Sequence, residues 1–549
     1  MGRARQVTLA LLACAAVLGV GLRAATAAEK TTFTHDEAIS YLAATCHQGE
    51  WSEITFGRRE PYGRWVPASA WQRLLEPDRA GCLGRIAHDL SHEDIHPPLY
   101  WWLLHGWVLA VGVGPASGPA LNILVALATA AALLALGRRV LADGRAAALA
   151  AAAFLVSPAS FVVSGEARHY ELLALASVLA LLATVRLAGG PRRPRAVDVV
   201  LMTAAIAMGA LTHYYFALVA LGCAGYMLAS ARARRATALA GLASIALGYV
   251  LFALAHPGFL RSFGRADGQA DPFALWELAG RAGDVAPALA GFALPPAAAW
   301  GVPAYVAAAA VVGAVTRAAV ALRRTRGDHP EGDRAALGVR PEPALFVLLV
   351  LGWLVAANVA LFLAFVTPGQ AMSVKHLSVL WPTCALALVV ALATLRRRRA
   401  AAALAYVAVL AVGGTIAALG QLDDRPAQRE VPRVARMVVP NVARGVLPRV
   451  LWEVPPGTLV FAADQRHLLE HRRPWLSRLE PGDIYVSGLP ETDPRYGDDP
   501  RRAALLLALV AHGPTIGQQV PTVAGRMNVI GNKGLRKSQP RRAGRRTRR

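Results

Sequence analysis

The sequence is short of charged residues, and of acidic residues above all. Only 17% of its 549 residues are Asp, Glu, Lys or Arg, whereas 55% are hydrophobic. A soluble protein of this length is rarely so apolar. The shortage of charge argues against an ordinary soluble enzyme. Apolar runs of about 20 residues predict membrane-spanning helices instead.

The scarcity of acidic residues gives the chain a large positive charge. It has 58 Lys and Arg against 35 Asp and Glu, a net charge of +23. Such a charge alone would suggest nucleic acid binding. However, many of the Arg residues form short clusters between apolar segments, where the positive-inside rule predicts them. A further basic run, 533–549, is a solvated tail. We therefore predict contact with membrane lipid and none with nucleic acid.

Cysteine is also scarce, and the five cysteines have no metal-binding spacing. Three lie in apolar segments, where a thiol behaves as a small hydrophobe. The other two, Cys46 and Cys82, share the first polar loop. If that loop is extracytoplasmic, a disulfide between them is possible. No internal repeat is visible either.

The apolar segments and the Arg clusters together predict the topology. The first segment also resembles a signal peptide, but the many spans that follow favour a retained helix. All the Arg clusters fall on the side of the N-terminus when the chain crosses the membrane about eleven times. The predicted spans are 7–28, 118–137, 146–163, 171–188, 197–213, 214–230, 236–255, 297–322, 343–366, 377–395 and 400–420, and the clusters are 138–139, 186–195, 232–235, 323–326 and 396–399.

This topology predicts an α-helical, polytopic membrane protein with four parts. Segment 96–113 is apolar enough to span, but a crossing there would move every later Arg cluster outside. We therefore predict a helix in the outer interface, with Pro97 and Pro98 in its first turn. The predicted parts are a membrane domain over 1–420, within it a large first outer loop over 29–117, a small extracytoplasmic α/β module over 421–532, and a basic disordered tail over 533–549.

Polar residues from five separate points of the chain converge on the outer face. Such a collection favours group transfer from a lipid-linked donor, whose phosphate leaves as an anion and needs cations beside it. Asp36 is the predicted general base. Glu37 beside it orients the loop or helps to bind a metal, and side chains next to each other on an extended segment point apart. The predicted substrate-binding residues are His96, Arg168, His169, Tyr170, Lys375 and His376, with Arg168 and Lys375 on the phosphate.

The order of these motifs resembles the GT-C membrane glycosyltransferases over about 1–420. The most similar branch is the protein O-mannosyltransferase-like group (glycosyltransferase family 39-like), which includes the aminoarabinose transferase and the rhizobial galacturonosyltransferases. The matching motifs are His35-Asp36-Glu37-Ala38, His96-Pro97-Pro98-Leu99-Tyr100, Ser164-Gly165-Glu166-Ala167-Arg168-His169-Tyr170, and Lys375-His376-Leu377 leading to Trp381-Pro382.

The resemblance implies an inverting transfer of a sugar from a polyprenyl phosphate to a hydroxyl of a glycan, lipid or protein. It implies a multi-pass protein of the inner (plasma) membrane with its catalytic face outside, and it places the catalytic acid at Asp36 with Glu37 beside it. Family members often have Arg-Tyr where this chain has Lys375-His376. Contact with the phosphate would then differ, since Lys is a point charge and Arg a planar fork.

Two questions stay open at the level of sequence. The motifs establish no cofactor, but His35, Asp36, Glu37 and His96 could form a divalent metal site. The alternative functions are a transporter or flippase of a lipid-linked saccharide, and a non-catalytic subunit of cell-envelope assembly. A transporter would need polar residues at mid-bilayer depth and often has repeated halves, whereas here the ionisable residues collect at one face.

Overall fold

The computed structural model contains two compact units. Unit 1 comprises Met1–Gly49 and Pro77–Asp424, and unit 2 comprises Glu50–Glu76 and Arg425–Arg549. The residues that the structure describes are 3–78, 81–190, 193–230, 234–264, 301–324, 339–365, 377–394, 399–423, 434–452, 454–480, 483–486, 505, 515–522 and 525–531.

Unit 1 is built around a bundle of apolar helices. Helix α10 lies among α7, α9, α11, α12 and α13, and α8 packs against α1, α7 and the last two helices of the bundle. The helices of the bundle are α1 (Arg3–Ala28), α7 (Ser117–Val140), α8 (Gly144–Val156), α9 (Pro158–Ser164), α10 (Tyr170–Gly189), α11 (Ala196–Ala210), α12 (Phe216–Ser230), α13 (Arg235–Ala255), α15 (Gly301–Arg324), α16 (Pro341–Phe365), α17 (Trp381–Ala393) and α18 (Arg399–Asp423).

These helices agree with the fold class predicted from the sequence. Each of the eleven predicted spans overlaps a described helix or, for 146–163, the bent pair α8–α9. By length and apolarity, four helices of the described chain can cross a membrane, namely α7, α10, α13 and the first 20 residues of α16, and the bent pair would make five. The number eleven therefore stays a prediction.

The bend between α8 and α9 measures 55° and has a local cause. Pro158 is the first residue of α9, and it has no N–H to continue the hydrogen bonds of α8. Arg23 of α1 fills the break. Its guanidinium donates to the Leu155 carbonyl, to Ser160 Oγ at 2.6 Å and to Ser164 Oγ at 3.0 Å. The buried cation thus satisfies polar groups that the break would leave unpaired.

Short helices also lie between α1 and α7. Helix α6 begins at Leu99, so Pro97 and Pro98 precede it rather than form its first turn. Cys46 and Cys82 are joined by a disulfide, as the sequence allowed. The helices between α1 and α7 are α2 (His35–Ala44), α3 (Gln48–Phe56), which continues into unit 2, α4 (Ser69–Gln72) of unit 2, α5 (Leu83–Glu93) and α6 (Leu99–Val111), and α14 (Phe259–Gly264) follows α13.

Unit 2 contains a six-stranded mixed sheet. In strand order β1-β3-β2-β4-β6-β5, the β2–β3 and β2–β4 pairs are parallel and the others antiparallel. The elements are β1 (Trp65–Pro67), β2 (Arg436–Val439), β3 (Leu459–Ala462), β4 (Ile484–Val486), β5 (Thr515–Thr522), β6 (Gly525–Gly531), a 3-10 turn (Arg73–Leu75), α19 (Leu447–Leu451), α20 (Gln465–Glu470) and α21 (Arg472–Leu476). Strand β1 comes from segment 50–76, far from the other strands in the sequence, and the sequence analysis did not predict that this segment joins the sheet. The predicted domain boundaries stay predictions.

Candidate active site

The two adjacent acids lie in the first turn of α2. Thr34 Oγ1 accepts the Glu37 N–H at 3.4 Å, and Glu37 Oε2 accepts the Thr34 N–H at 2.7 Å. This reciprocal pair is a capping box, which starts the helix at His35. The expectation of an extended segment here is therefore wrong. The helix places both carboxylates in its first turn, at the positive end of its dipole.

Glu37 is fully buried and occupied by donors. Besides the Thr34 N–H, its carboxylate accepts Lys30 Nζ at 2.7 Å and the Ala167 N–H at 2.8 Å. Lys30 also donates to the Gly165 carbonyl at 2.8 Å. Glu37 therefore ties α2 to the turn between α9 and α10, which carries several of the predicted site residues.

Asp36 has the opposite environment. Its side chain is 38% exposed, and its Oδ2 lies 3.9 Å from Arg168 Nε. Its Oδ1 lies 3.3 Å from His35 Nδ1. The structure thus holds an accessible carboxylate beside a buried guanidinium.

Arg168 is held in place from several sides. Its Nη1 donates to Ser40 Oγ at 3.4 Å, and its guanidinium carbon lies 6.0 Å from the Trp101 ring centre and 5.9 Å from that of Tyr170. Burial alone would lower the pKa of Arg168, but Asp36, Tyr170 and Asp94 raise it above the usual value. Arg168 is thus a permanent, oriented cation.

The turn that carries Arg168 is packed tightly against α7. Asn122 Nδ2 donates to the carbonyls of Glu166 and, at 3.4 Å, Arg168. Gly118 of α7 meets the turn so closely that a Cβ at this position would lie 2.2 Å from the Ala167 Cβ. The absence of a side chain at Gly118 therefore permits the contact that positions the turn.

His96 precedes α6 and pairs with Asp94. The distance from His96 Nδ1 to Asp94 Oδ1 is 2.6 Å, and both side chains are almost buried. Burial alone would raise the pKa of Asp94, but His96, Arg168 and the Ile95 N–H together lower it below its usual range. Asp94 is therefore an ionised carboxylate that fixes the orientation of the imidazole.

Three histidines from separate segments meet beside this pair. His96, His169 and His213 each place a ring nitrogen within 4.8 Å of the others. The ring centre of His169 lies 4.8 Å from that of His96 and 4.9 Å from that of His213. Trp101 and Tyr170 border the group, with ring centres 5.4 and 4.3 Å from that of His169.

The structure thus brings most of the predicted site together. Asp36, Glu37, Arg168 and Tyr170 lie around one turn, and His96 joins them through Asp94 and His169. Lys375 and His376 lie outside the described residues. The suggested metal set of His35, Asp36, Glu37 and His96 is not among the two candidate metal-binding groups of the described chain, because Glu37 is taken up by its three donors and His96 lies among other imidazoles.

Two residues of the candidate site, Asp94 and Ser40, were not predicted from the sequence. Asp94 lies two residues before His96, a carboxylate–X–imidazole spacing that could have drawn attention to it. Ser40 lies one helical turn after Asp36 and therefore on the same face of α2. No sequence pattern distinguishes Ser40 from the other small polar residues of the chain.

The chain is similar to one family model and to solved structures. A family model described as dolichyl-phosphate-mannose-protein mannosyltransferase matches residues 95–257. The matched range includes His96, Arg168, His169, Tyr170 and His213. Among curated protein sequences, none matches the chain significantly.

Two solved structures resemble the chain over nearly its whole length. ArnT from Cupriavidus metallidurans in the apo state has a TM-score of 0.54 at 14% identity, covering 96% of this chain and 98% of that one. The same protein bound to undecaprenyl phosphate has a TM-score of 0.52 at 14% identity, with coverages of 98% and 100%. At such identities the likeness shows the fold. The fold and the family model together confirm the predicted resemblance to GT-C membrane glycosyltransferases.

Proposed function

We propose that this GT-C-type membrane glycosyltransferase transfers a sugar from a polyprenyl phosphate to an acceptor hydroxyl, with inversion, at the extracytoplasmic face of an inner (plasma) membrane. The acceptor is a hydroxyl of a glycan, lipid or protein. Asp36 acts as the general base, and Arg168 with Lys375 binds the phosphate. The undecaprenyl phosphate of the structural neighbour supports this class of donor.

The difference between Asp36 and Glu37 carries the proposal. Glu37 is buried and saturated with donors, whereas Asp36 is 38% exposed and lies 3.9 Å from Arg168. A general base must reach the hydroxyl that it deprotonates, and only Asp36 of the pair is accessible. In this proposal Glu37 positions the base and the cation relative to each other.

The reaction follows from that placement. Asp36 takes the proton of the acceptor hydroxyl while the hydroxyl oxygen attacks C1 of the sugar. The bond from C1 to the phosphate oxygen breaks on the opposite side, so the configuration at C1 inverts. The bonding electrons leave with the phosphate, and Arg168 stabilises the developing charge from a buried position where its interaction with an anion is strong.

The positions along α7 support an outer location. Gly118 lies against Ala167 at the site, and Arg138 and Arg139 follow twenty residues later in the same helix. At 1.5 Å per residue, the Arg pair is roughly 30 Å away, about the thickness of the hydrocarbon core. By the positive-inside rule the Arg end is cytoplasmic and the site end is outside.

The test uses the purified full-length protein, a polyprenyl-phosphate sugar and an acceptor lipid or peptide. Asp36→Asn should reduce transfer by about 100-fold or more, in the range for loss of a general base, while binding of polyprenyl phosphate is retained. If the protein were a transporter or a non-catalytic subunit, the wild type itself would show no sugar transfer in this assay.

Asp78→Asn is the matched control. Asp78 also lies in the outer loop, and it also pairs with an arginine, since Arg85 Nη1 is 3.1 Å from its Oδ2. This variant should keep normal turnover. Normal turnover of Asp36→Asn would remove Asp36 from the mechanism, and equal losses in both variants would point to a general effect of the substitution.

A further inference from the structure

We propose that His96, His169 and His213 form a binding site for a divalent transition-metal cation of the Zn²⁺ type. The three side chains come from three separate segments, namely the residues before α6, the turn before α10 and the turn between α11 and α12. Their ligand nitrogens all lie within 4.8 Å of one another. His169 and His213 are buried and His96 is nearly so. The three nitrogens would have to move closer together by about 1 Å or more to bind one ion, because each bond from nitrogen to zinc measures about 2.0–2.1 Å.

The chemistry of the ligands selects the class of metal. Neutral imidazole nitrogen binds Zn²⁺, Co²⁺, Ni²⁺ and Cu²⁺ well, whereas Mg²⁺ and Ca²⁺ prefer oxygen. Three protein ligands also leave a fourth position of a tetrahedral ion open, as in catalytic rather than structural zinc sites. The open position could accept water or an anionic oxygen.

Asp94 gives His96 the orientation of a ligand. Its Oδ1 lies 2.6 Å from His96 Nδ1, so this nitrogen carries the proton and Nε2 is left as the donor atom towards the metal. A carboxylate behind a histidine in this way fixes the tautomer and increases the basicity of the ligand.

The surrounding charges favour a cation. Asp36 Oδ2 lies 3.9 Å from Arg168 Nε, and Asp94 Oδ1 lies 2.6 Å from His96 Nδ1, so two carboxylates and one guanidinium lie in the neighbourhood of the three imidazoles. One negative charge therefore remains to offset part of the charge of a divalent ion.

His213 requires the largest rearrangement. Its Nδ1 accepts the Tyr215 N–H at 3.0 Å, so the neutral ring carries its proton on Nε2. Binding of a metal exchanges the Tyr215 contact for a bond from Nδ1 to the ion. His213 is thus the ligand whose loss best separates a three-histidine site from a pair formed by His96 and His169.

The other three-residue group of the described chain does not compete. Cys46, Cys82 and His105 also lie within 4.8 Å, but the two sulfurs are joined in a disulfide. A disulfide has no thiolate to offer as a ligand.

The test measures metal binding by the purified full-length protein after removal of metal with a chelator. Titration with Zn²⁺ should give one site per chain, and Co²⁺ should give the intense visible spectrum of a four-coordinate ion. His169→Ala and His213→Ala should each weaken Zn²⁺ binding by at least about 10-fold. Asp94→Asn should weaken it by about 10- to 100-fold, because His96 loses the carboxylate that orients it as a ligand. These readouts do not depend on sugar transfer, so the site and the proposed function can fail separately.

The control variant is His88→Ala/His92→Ala. These two imidazoles stack one helical turn apart on α5, with ring centres 4.0 Å apart, and His88 is exposed, so the pair is the alternative, adventitious site for a metal ion. Binding should persist in this double variant. Absence of the four-coordinate Co²⁺ spectrum in the wild type would overturn the proposal. So would unchanged Zn²⁺ affinity in His169→Ala and His213→Ala variants that keep the thermal stability of the wild type.

Discussion

The Glu37 carboxylate accepts the backbone N–H of Ala167 at 2.8 Å, across 130 residues of sequence. This bond joins the turn that carries Arg168 to the helix that carries Asp36. Glu37 also holds the Lys30 ammonium and the N-terminus of α2. The distance between the proposed base and the proposed phosphate ligand thus depends on a neighbouring acid that need not touch the substrate.

Glu37→Gln should therefore lower both stability and turnover. Loss of the charged hydrogen bonds to Lys30 and the two N–H groups should cost on the order of 1.5–3 kcal/mol in the free energy of unfolding. The Michaelis constant should rise together with a fall in kcat, because the cation and the base lose their relative position. Thermal unfolding and steady-state kinetics of the purified protein measure both effects.

Glu53→Gln provides the comparison for this substitution. Glu53 pairs with Arg59 at 3.0 Å, but both side chains are about two-thirds exposed, and exposed pairs contribute little. Its variant should behave like the wild type. If Glu37→Gln also left the stability, KM and kcat unchanged, the hydrogen bond to Ala167 would have no role in positioning the site.

The contact of Arg168 with the phosphate should depend on the shape of the guanidinium. Arg168→Lys keeps the charge but loses the planar fork that grips a phosphate through two bonds. Transfer should fall in this variant, and Arg168→Ala should lower it further, by the 1.5–3 kcal/mol typical of a charge-assisted bond. Arg85→Lys, in the exposed pair with Asp78, serves as the control. Equal rates for Arg168→Lys and the wild type would show that only the charge matters.

The sequence predicted the apolar helices of the bundle because lipid imposes a simple rule. Every backbone group in the bilayer must be bonded within its own helix, so an apolar run of sufficient length indicates a span without knowledge of its neighbours. Even the break at Pro158 falls within the single predicted span 146–163. The apolar pattern does not predict the hydrogen bonds of Arg23 at this break, because a single sequence does not indicate which distant helix packs there.

The candidate site was partly predictable for a related reason. Asp36, Glu37, His96 and Arg168 were found because ionisable residues at the mouth of an apolar bundle are conspicuous. The capping box of Thr34 and Glu37 has the recognisable sequence pattern Thr-x-x-Glu. This pattern alone would have predicted that Glu37 caps the N-terminus of α2. The meeting of His96 with His169 and His213 depends on tertiary packing, as does the pairing of Trp65–Pro67 with β3, and a single sequence does not encode either in a local pattern.

The disulfide between Cys46 and Cys82 should stabilise the segment that it closes. Cys46 and Cys82 are 36 residues apart, and a cross-link closing a loop of this length contributes about 3–4 kcal/mol in the chain-entropy model. Cys82→Ser should lower the unfolding temperature, and addition of a reductant should then have no further effect. Cys14→Ser, at an exposed free cysteine, should leave the unfolding temperature unchanged. Recovery of Cys46 and Cys82 as free thiols in non-reducing peptide mapping would contradict this assignment.

Unit 2 should lose stability in acid through Asp464. The Tyr62 hydroxyl donates to Asp464 Oδ2 at 2.5 Å, and the His467 N–H donates to Oδ1 at 2.8 Å. Burial alone would raise the pKa of Asp464, but these two donors and Arg58 lower it. A carboxyl whose pKa is lower in the folded state stabilises the fold above its unfolded pKa, about 3.9, and this contribution disappears as the pH falls through the folded value.

Tyr62→Phe tests this linkage in the full-length protein. At neutral pH the variant should be less stable by about 1 kcal/mol or less, since the Asp464 side chain is 44% exposed. The difference from the wild type should shrink as the pH falls from about 4 through the lower folded pKa of Asp464 in the wild type, because below that pKa the carboxyl is protonated in both proteins. In an Asp464→Asn background the same substitution should show no such pH dependence, because no charge remains to titrate. A difference that stays constant from pH 7 to pH 3 in the presence of Asp464 would mean that Tyr62 acts by packing against His467 and not by stabilising the carboxylate.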